Sequence, residues 1–188
     1  MISFDKQNGF YVAEEAIEFL NSEELVEEKI AIIAVAGKYR TGKSFLLNRI
    51  LLNKMGQTSG FGVGPTINPC TKGLWVWNKP ISMTDKDGQT YKVLIVDSEG
   101  IGAFNEDQNH DTRIFLLALL LSSYFIYNSM GTIDENALQN LSLIVNLSKQ
   151  LEVQGKKAED VDPDYVSQYF PSFLWVVRDF ALRLQDQF

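Results

Sequence analysis

The stretch KIAIIAVAGKYRTGKSFLLN, residues 29–48, decides the reading of this chain. Its first half is a continuous apolar, β-branched run closed by Gly37, which suits a central strand buried on both faces. From Lys43 onward, KSFLLNRILLNKMG places apolar residues at helical spacing and meets Gly56 as a stop, so a helix is expected. Between strand and helix, four residues separate Gly37 from the triplet Gly42-Lys43-Ser44, the spacing of a phosphate-binding P-loop.

Chemistry explains that spacing. Glycines let the backbone wrap closely around phosphate oxygens and turn successive N–H groups inward. The helix beginning near Lys43 aims its positive dipole end and unpaired N–H groups at the same place. Lys43 is expected to reach the β- and γ-phosphates of a nucleotide, and the Ser44 hydroxyl to ligate Mg²⁺. The candidate cradle is therefore Gly37, Lys38, Tyr39, Arg40, Thr41, Gly42, Lys43 and Ser44, with Phe45 directly behind. Arg40 occupies a position that the motif leaves free. By itself it fits a solvated loop arginine as well as a cation aimed at phosphate.

Downstream, VLIVDSEG reads as a buried strand ending in Asp97, with Gly100 three residues on. An aspartate at a strand end beside a P-loop can hold Mg²⁺, and a glycine there lets its N–H approach a γ-phosphate. Asp-x-x-Gly alone is a weak signal, equally a plain strand-to-loop turn. It gains weight from its place after the P-loop. Residues 56–69, GQTSGFGVGPTINP, read as a long loop that ends beside a strand. With the loop carried on through PCTKG, Thr66 and Thr71 are its candidate metal-side threonines, and Thr71 lies directly before that strand.

The remaining pattern completes the expected architecture. VAEEAIEFLNSEELVEE (12–28) reads as a short acidic helix and connector. TKGLWVWNK and TYKVLIVD read as two strands of a hairpin turning at Asp85–Gly88. SEGIGAFNEDQNHD reads as a second polar loop before a helix from about Thr112. The uncharged run Ile114–Tyr127 reads as one buried helix, since spanning a bilayer takes ~20 apolar residues. A further helix is expected over about 135–151, then a polar connector and a last strand, FLWVVRDF. Strands alternating with helices indicate an α/β, doubly wound, mostly parallel sheet with one antiparallel edge strand and helices on both faces.

Composition narrows the functions. The chain has 188 residues, 45% hydrophobic and 22% charged, enough for a single core. A net charge of −7 gives no basic field for nucleic acid, so an anion must be held by a local site. Neither a secretory leader nor a transmembrane run is apparent, and the lone Cys70 cannot form an intrachain disulfide. A reducing, cytoplasmic setting is the expectation. His110 reads as an exposed loop side chain, and Trp75, Trp77 and Trp175 as sheet-face or core packing.

Taken together, GKYRTGKSFLLNRIL, TKGLWVW, VDSEGIGAFNEDQNHDTRIFLLALLLSSYFIYNSMGTI and FPSFLWVVRDF resemble the GTPase domain of guanylate-binding proteins. These are large GTPases of the dynamin-like superfamily, with atlastins as relatives. The resemblance runs from about Phe19 to Phe180. It implies a P-loop NTPase fold, GTP as substrate, Mg²⁺ as cofactor and a nucleotide-dependent homodimer formed head to head through the GTPase face. Under it, Arg40 corresponds to an arginine finger acting in cis, Thr71 to the switch threonine on the metal, and Asp97 to the metal-side aspartate. Glu99 corresponds to a glutamate that positions the catalytic water. Arg178-Asp179 correspond to the pair that reads guanine, Asp179 accepting from N1–H and the 2-amino group.

Two departures stand out. Pro69 lies where the family usually has a serine that orients water, and only Ala181–Phe188 follow Phe180. The expectation is thus one incomplete GTPase domain over 1–188, with a P-loop at 37–44, switch loops at about 56–72 and 98–111, and a base-reading strand end at 174–180. Its alternative is a guanine-nucleotide-binding module with little or no hydrolysis.

Overall fold

Strand β3 (Ile30–Ala36) lies inside the sheet because both of its faces are apolar and both are covered. Ala34 and Ala36 point to one side, Val35 to the other, as period-two alternation requires. The computed structural model describes residues 1–5, 9–53, 60–63, 73–102, 108–133, 135, 138, 139, 142 and 170–180. Its other elements are β1 (Ile2–Asp5), β2 (Gly9–Val12), α1 (Glu14–Leu20), α2 (Lys43–Leu46), β4 (Leu74–Val76), β5 (Ile81–Thr84), β6 (Thr90–Ser98), α3 (Gln108–Leu121), β7 (Tyr124–Met130) and β8 (Ser172–Arg178). Helix α2 continues as one π-helical turn over Leu47–Leu51, which ends the helix short of Gly56.

The sheet runs in the order β2-β1-β4-β6-β3-β7-β8, and β5 also pairs with β6. Parallel ladders join β6, β3, β7 and β8, with Val35 opposite Asp97 and Tyr127 opposite Trp175. Helices cover both faces. On one, Ile114, Phe115, Ala118 and Leu119 of α3 pack on Ala34, Val96, Phe125 and Tyr127. On the other, Leu46, Leu47 and Leu51 pack on Val35, Ile95 and Ile126. The α/β class and the parallel centre are as expected. Among the described residues no helix is long and apolar enough to cross a membrane.

Three expectations need correction. The antiparallel side has four strands, not one edge strand: β4 and β5 both pair with β6, and the hairpin β1–β2 extends the sheet beyond β4. The strand across the Asp85–Gly88 turn is Ile81–Thr84, beyond the strand expected at 71–79, of which Leu74–Val76 forms β4 and Trp77–Lys79 is not strand. The run Ile114–Tyr127 is not one helix. It stops at Leu121, turns at Ser122-Ser123, and continues as β7. Ser122 Oγ donates to Leu119 O (2.8 Å), and Ser123 is claimed by β3, its N–H donating to Ile32 O (2.8 Å) while its Oγ accepts from Ile32 N–H (3.1 Å). Of the helix expected near 135–151, Glu135, Leu138, Gln139 and Ser142 are helical; the rest lies outside the described residues.

Phe115, 1% exposed, meets Phe125 edge-on at 5.4 Å and Tyr127 at 6.1 Å. Phe115→Ala is expected to lower the unfolding free energy by about 3–5 kcal/mol through lost burial and a residual cavity. Leu120→Ala, on the exposed side of α3, should change it by under about 0.5 kcal/mol. Urea unfolding of the two variants checks the contrast.

Candidate functional site

The P-loop leaves β3 against β7, and two further strands hold its shape. Asn128 of β7, fully buried, donates from Nδ2 to Thr41 O (3.0 Å) and Thr41 Oγ1 (2.9 Å). Arg178 at the end of β8 donates from Nη1 to Thr41 O (3.0 Å) and more weakly to Gly42 O (3.4 Å). A trans peptide points its C=O and the following N–H in opposite directions. Tying those carbonyls to β7 and β8 therefore turns the Gly42 and Lys43 N–H groups the other way. Thr41 Oγ1 closes the loop by donating to Lys38 O (2.8 Å). Gly42 has φ +79°, a region that L side chains rarely adopt.

Lys43 folds back into the loop. It is buried, and its Nζ donates to Lys38 O (3.3 Å). Burial of the ammonium lowers its pKa from the usual 10.5, and the Asp97 and Glu99 charges oppose that shift without reversing it. Ser44 Oγ donates to Asp97 Oδ2 at 2.5 Å, and Asp97 is fully buried at the end of β6. Beyond Ser98, whose Oγ donates to Val35 O (2.6 Å), the backbone stays alongside the P-loop: Tyr39 N–H donates to Ile101 O (2.9 Å), and Ile101 N–H to Gly37 O (3.1 Å). A Cβ on Gly100 would collide with Tyr39 Cα and lie 2.9 Å from Lys43 Nζ, so only glycine fits there.

The expected residues thus divide. Gly37, Thr41, Gly42, Lys43, Ser44, Asp97, Glu99 and Gly100 converge around one loop. Lys38 and Arg40 are exposed, Arg40 with φ +62°. Phe45 is 42% exposed and lies beneath two guanidinium groups, Arg49 Cζ at 5.2 Å and Arg178 Cζ at 5.7 Å from its ring centroid. Asp179 is exposed with φ +52°. Thr66, Pro69, Cys70 and Thr71 lie outside the described residues. Trp77 and Trp175 pack partly buried against the two core clusters, while Trp75 is 51% exposed.

His110 overturns its expected place. It is buried, in the first turns of α3, with Nε2 3.2 Å from Glu99 Oε2. The polar run around it reads as loop because the rings that enclose it, Phe4 and Phe10, come from the far N-terminus. Asn128 was hidden for another reason. Once Ile114–Tyr127 is read as helix, nothing marks an asparagine just beyond it as part of a strand beside the P-loop.

The oxygen donors suit a hard cation that keeps waters and phosphate oxygens. Ser44 and Asp97 already touch, one hydroxyl and one carboxylate, the usual small protein share of a Mg²⁺ site. Among the described residues no group of three or more His, Cys, Asp or Glu side chains assembles into a metal cage.

Comparison with known proteins decides the family. Residues 7–188 match the family profile described as guanylate-binding protein, N-terminal domain. The chain belongs to the guanylate-binding proteins. Mouse (Mus musculus) guanylate-binding protein 7 is 38% identical over 169 residues, 88% of this chain and 25% of that protein. Mouse guanylate-binding protein 3 is 38% identical over 182 residues, covering 95% and 28%. Human (Homo sapiens) guanylate-binding protein 2 is 36% identical over 175 residues, covering 91% and 28%. The chain thus spans between a quarter and three-tenths of the length of these relatives.

The buried Lys43 gives a pH signature for the nucleotide-free protein. Between its lowered pKa and 10.5, the unfolded chain retains a proton at this lysine that the folded chain has lost. Stability contributed by this group therefore rises with pH through that window, and below it the folded state bears the cost of a buried ammonium. The difference in urea midpoint between wild type and Lys43→Met should grow in favour of wild type from neutral pH towards 10.5. A difference that stays flat over that range would contradict the assignment.

Proposed function

We propose that this chain is a Mg²⁺-dependent GTPase domain that binds guanine nucleotide in the Gly37–Ser44 loop and hydrolyses it. The observation that carries the reading is the buried Lys43, folded inside the loop and flanked by Asp97 and Glu99, with Ser44 bonded to Asp97. A buried ammonium beside two carboxylates is costly to hold, and a nucleotide's phosphates together with Mg²⁺ supply partners for both signs of charge. The names of the relatives, which describe guanylate binding, give the same direction.

In this reading the Gly42 and Lys43 N–H groups and the Lys43 ammonium bind the β- and γ-phosphates. Ser44, Thr71 and Asp97 form the protein side of the metal site. Bound Mg²⁺ would neutralise charge on the phosphate oxygens. Gly100 brings its backbone close to the γ-phosphate. Glu99 orients the attacking water, a role made heavier by Pro69, which has no hydroxyl. Arg40, exposed on its left-handed backbone turn, is free to swing over the transferred phosphoryl group when two domains meet through this face.

Base selection falls to Asp179. The clasp of its neighbour Arg178 on the Thr41 and Gly42 carbonyls supports this reading. Its carboxylate can accept both the N1–H and the 2-amino group of guanine. Adenine offers no such donor pair and leaves the carboxylate unpaired. Arg178 itself acts as a brace for the loop and a cover for Phe45, in addition to any contact with the base.

Phosphate release from GTP with Mg²⁺ should rise more than linearly with protein concentration, and Arg40→Ala should slow it by about 10³-fold while nucleotide binding persists. Tight binding of a GTP analogue with no phosphate release would identify a binding module instead. Asp179→Asn should weaken guanine preference over adenine by two or more orders of magnitude, roughly the discrimination available from a paired polar group. Competition of ATP against labelled GTP analogue reads this directly, and unchanged preference would remove Asp179 from the base site.

A further inference from the structure

Glu99 is held by more than its own strand. Its Oε2 accepts from Gly73 N–H (2.9 Å) and lies 3.2 Å from His110 Nε2. Its backbone N–H donates to Gly73 O (2.8 Å), so the residue is stitched to the start of β4 at both ends. Glu99 and His110 are both at least nine-tenths buried. An ionised Glu99 only accepts, and the bond then takes its proton from His110 Nε2.

The imidazole is itself fixed by the N-terminal hairpin. Phe10 of β2 stacks on it (centroids 5.3 Å apart, 14° between planes), and Phe4 of β1 meets it edge-on at 4.6 Å. Phe4 and Phe10 are in turn 5.0 Å apart. The same hairpin backs the other donor. Ile2 pairs with Leu74, and the Ile2 carbonyl fills the space where Gly73 would carry a Cβ.

We propose that His110 is a positioning residue for Glu99, with the β1–β2 hairpin as its support. A free glutamate has three side-chain torsions to lose before it can act. Here Gly73 N–H and His110 converge on Oε2, which fixes the carboxylate and leaves Oε1 as the oxygen available to orient a water. The inference rests on the hydrolysis reading for its kinetic consequence, but the Glu99–His110 bond stands apart from it.

His110 is the sole histidine of the chain, which makes the bond directly readable. Long-range ¹H–¹⁵N correlation of the imidazole, on the nucleotide-free protein, should show a protonated Nε2 whose resonance moves in Glu99→Ala. An unprotonated Nε2, or a spectrum indifferent to Glu99→Ala, overturns the proposal. In GTP hydrolysis, His110→Leu keeps apolar packing between Phe4 and Phe10 but removes the donor. It should lower kcat by about 10- to 100-fold, the cost of misplacing a reacting group, with KM little changed. His110→Gln, whose amide N–H can reach the same oxygen, should recover most of the loss. Equal kcat for the Leu and Gln variants, or a rise in KM alone, also overturns it. A wild type with no turnover would sink the hydrolysis reading and not this one, which the imidazole spectrum then decides.

Discussion

The parallel register of β3 and β6 is the constraint on which the site depends. Val35 stands opposite Asp97, so the end of one strand and the start of its loop arrive beside the end of the other. The Lys38–Ile101 bridge carries the same alignment past the sheet edge. A slip of one residue would turn the side chains of β6 to the opposite faces. Asp97 would leave the side where Ser44 reaches it, and Val93 and Ile95 would lose the cluster they form with Val35 and Leu47. Burial of the apolar faces therefore sets the geometry of the polar site. No side chain in the loop has to enforce it.

The charge arrangement follows from that alignment. Two carboxylates, Asp97 and Glu99, and one ammonium, Lys43, are all withdrawn from water. Desolvation dominates the Lys43 shift even with both carboxylates nearby. The loop carbonyls are engaged: Thr41 O by Asn128 and Arg178, Lys38 O by Thr41 and by Lys43 itself. Strands β7 and β8 thus contribute by holding the Thr41 carbonyl, which fixes the shape of the loop.

How much of this could be read from the sequence varies with the range of the interactions. The P-loop, β3, β6 and β8 were legible because apolar runs bounded by glycines and polar clusters carry their own local signal. Strand β7 was not. A run such as LLALLLSSYFIY satisfies a buried helix and a buried strand equally, and periodicity cannot divide it. Its division is set by tertiary bonds from Ser123 to Ile32, although the aromatic and β-branched content after Ser123 was a usable hint. The same holds in the site. Lys43, Ser44, Asp97 and Gly100 follow from spacing, whereas Asn128, the P-loop clasp of Arg178 and the burial of His110 exist only once distant strands are assembled.

The antiparallel half of the sheet gains a purpose from this. Four short strands on one side of β6 could be taken as a cover for a sheet edge, a common need where unpaired strand groups face water. Their side chains argue for more. The hairpin contributes Phe4 and Phe10 to a cage around His110, and the Ile2 carbonyl closes the space over Gly73. Strand β4 pairs Trp75 with Asp97 and Leu74 with Ser98, fixing the backbone from which Glu99 projects. The parallel half places the phosphate loop, and the antiparallel half places the carboxylate that faces it. Glu99 sits where the two meet, tied to the hairpin side by the His110 imidazole and by Gly73.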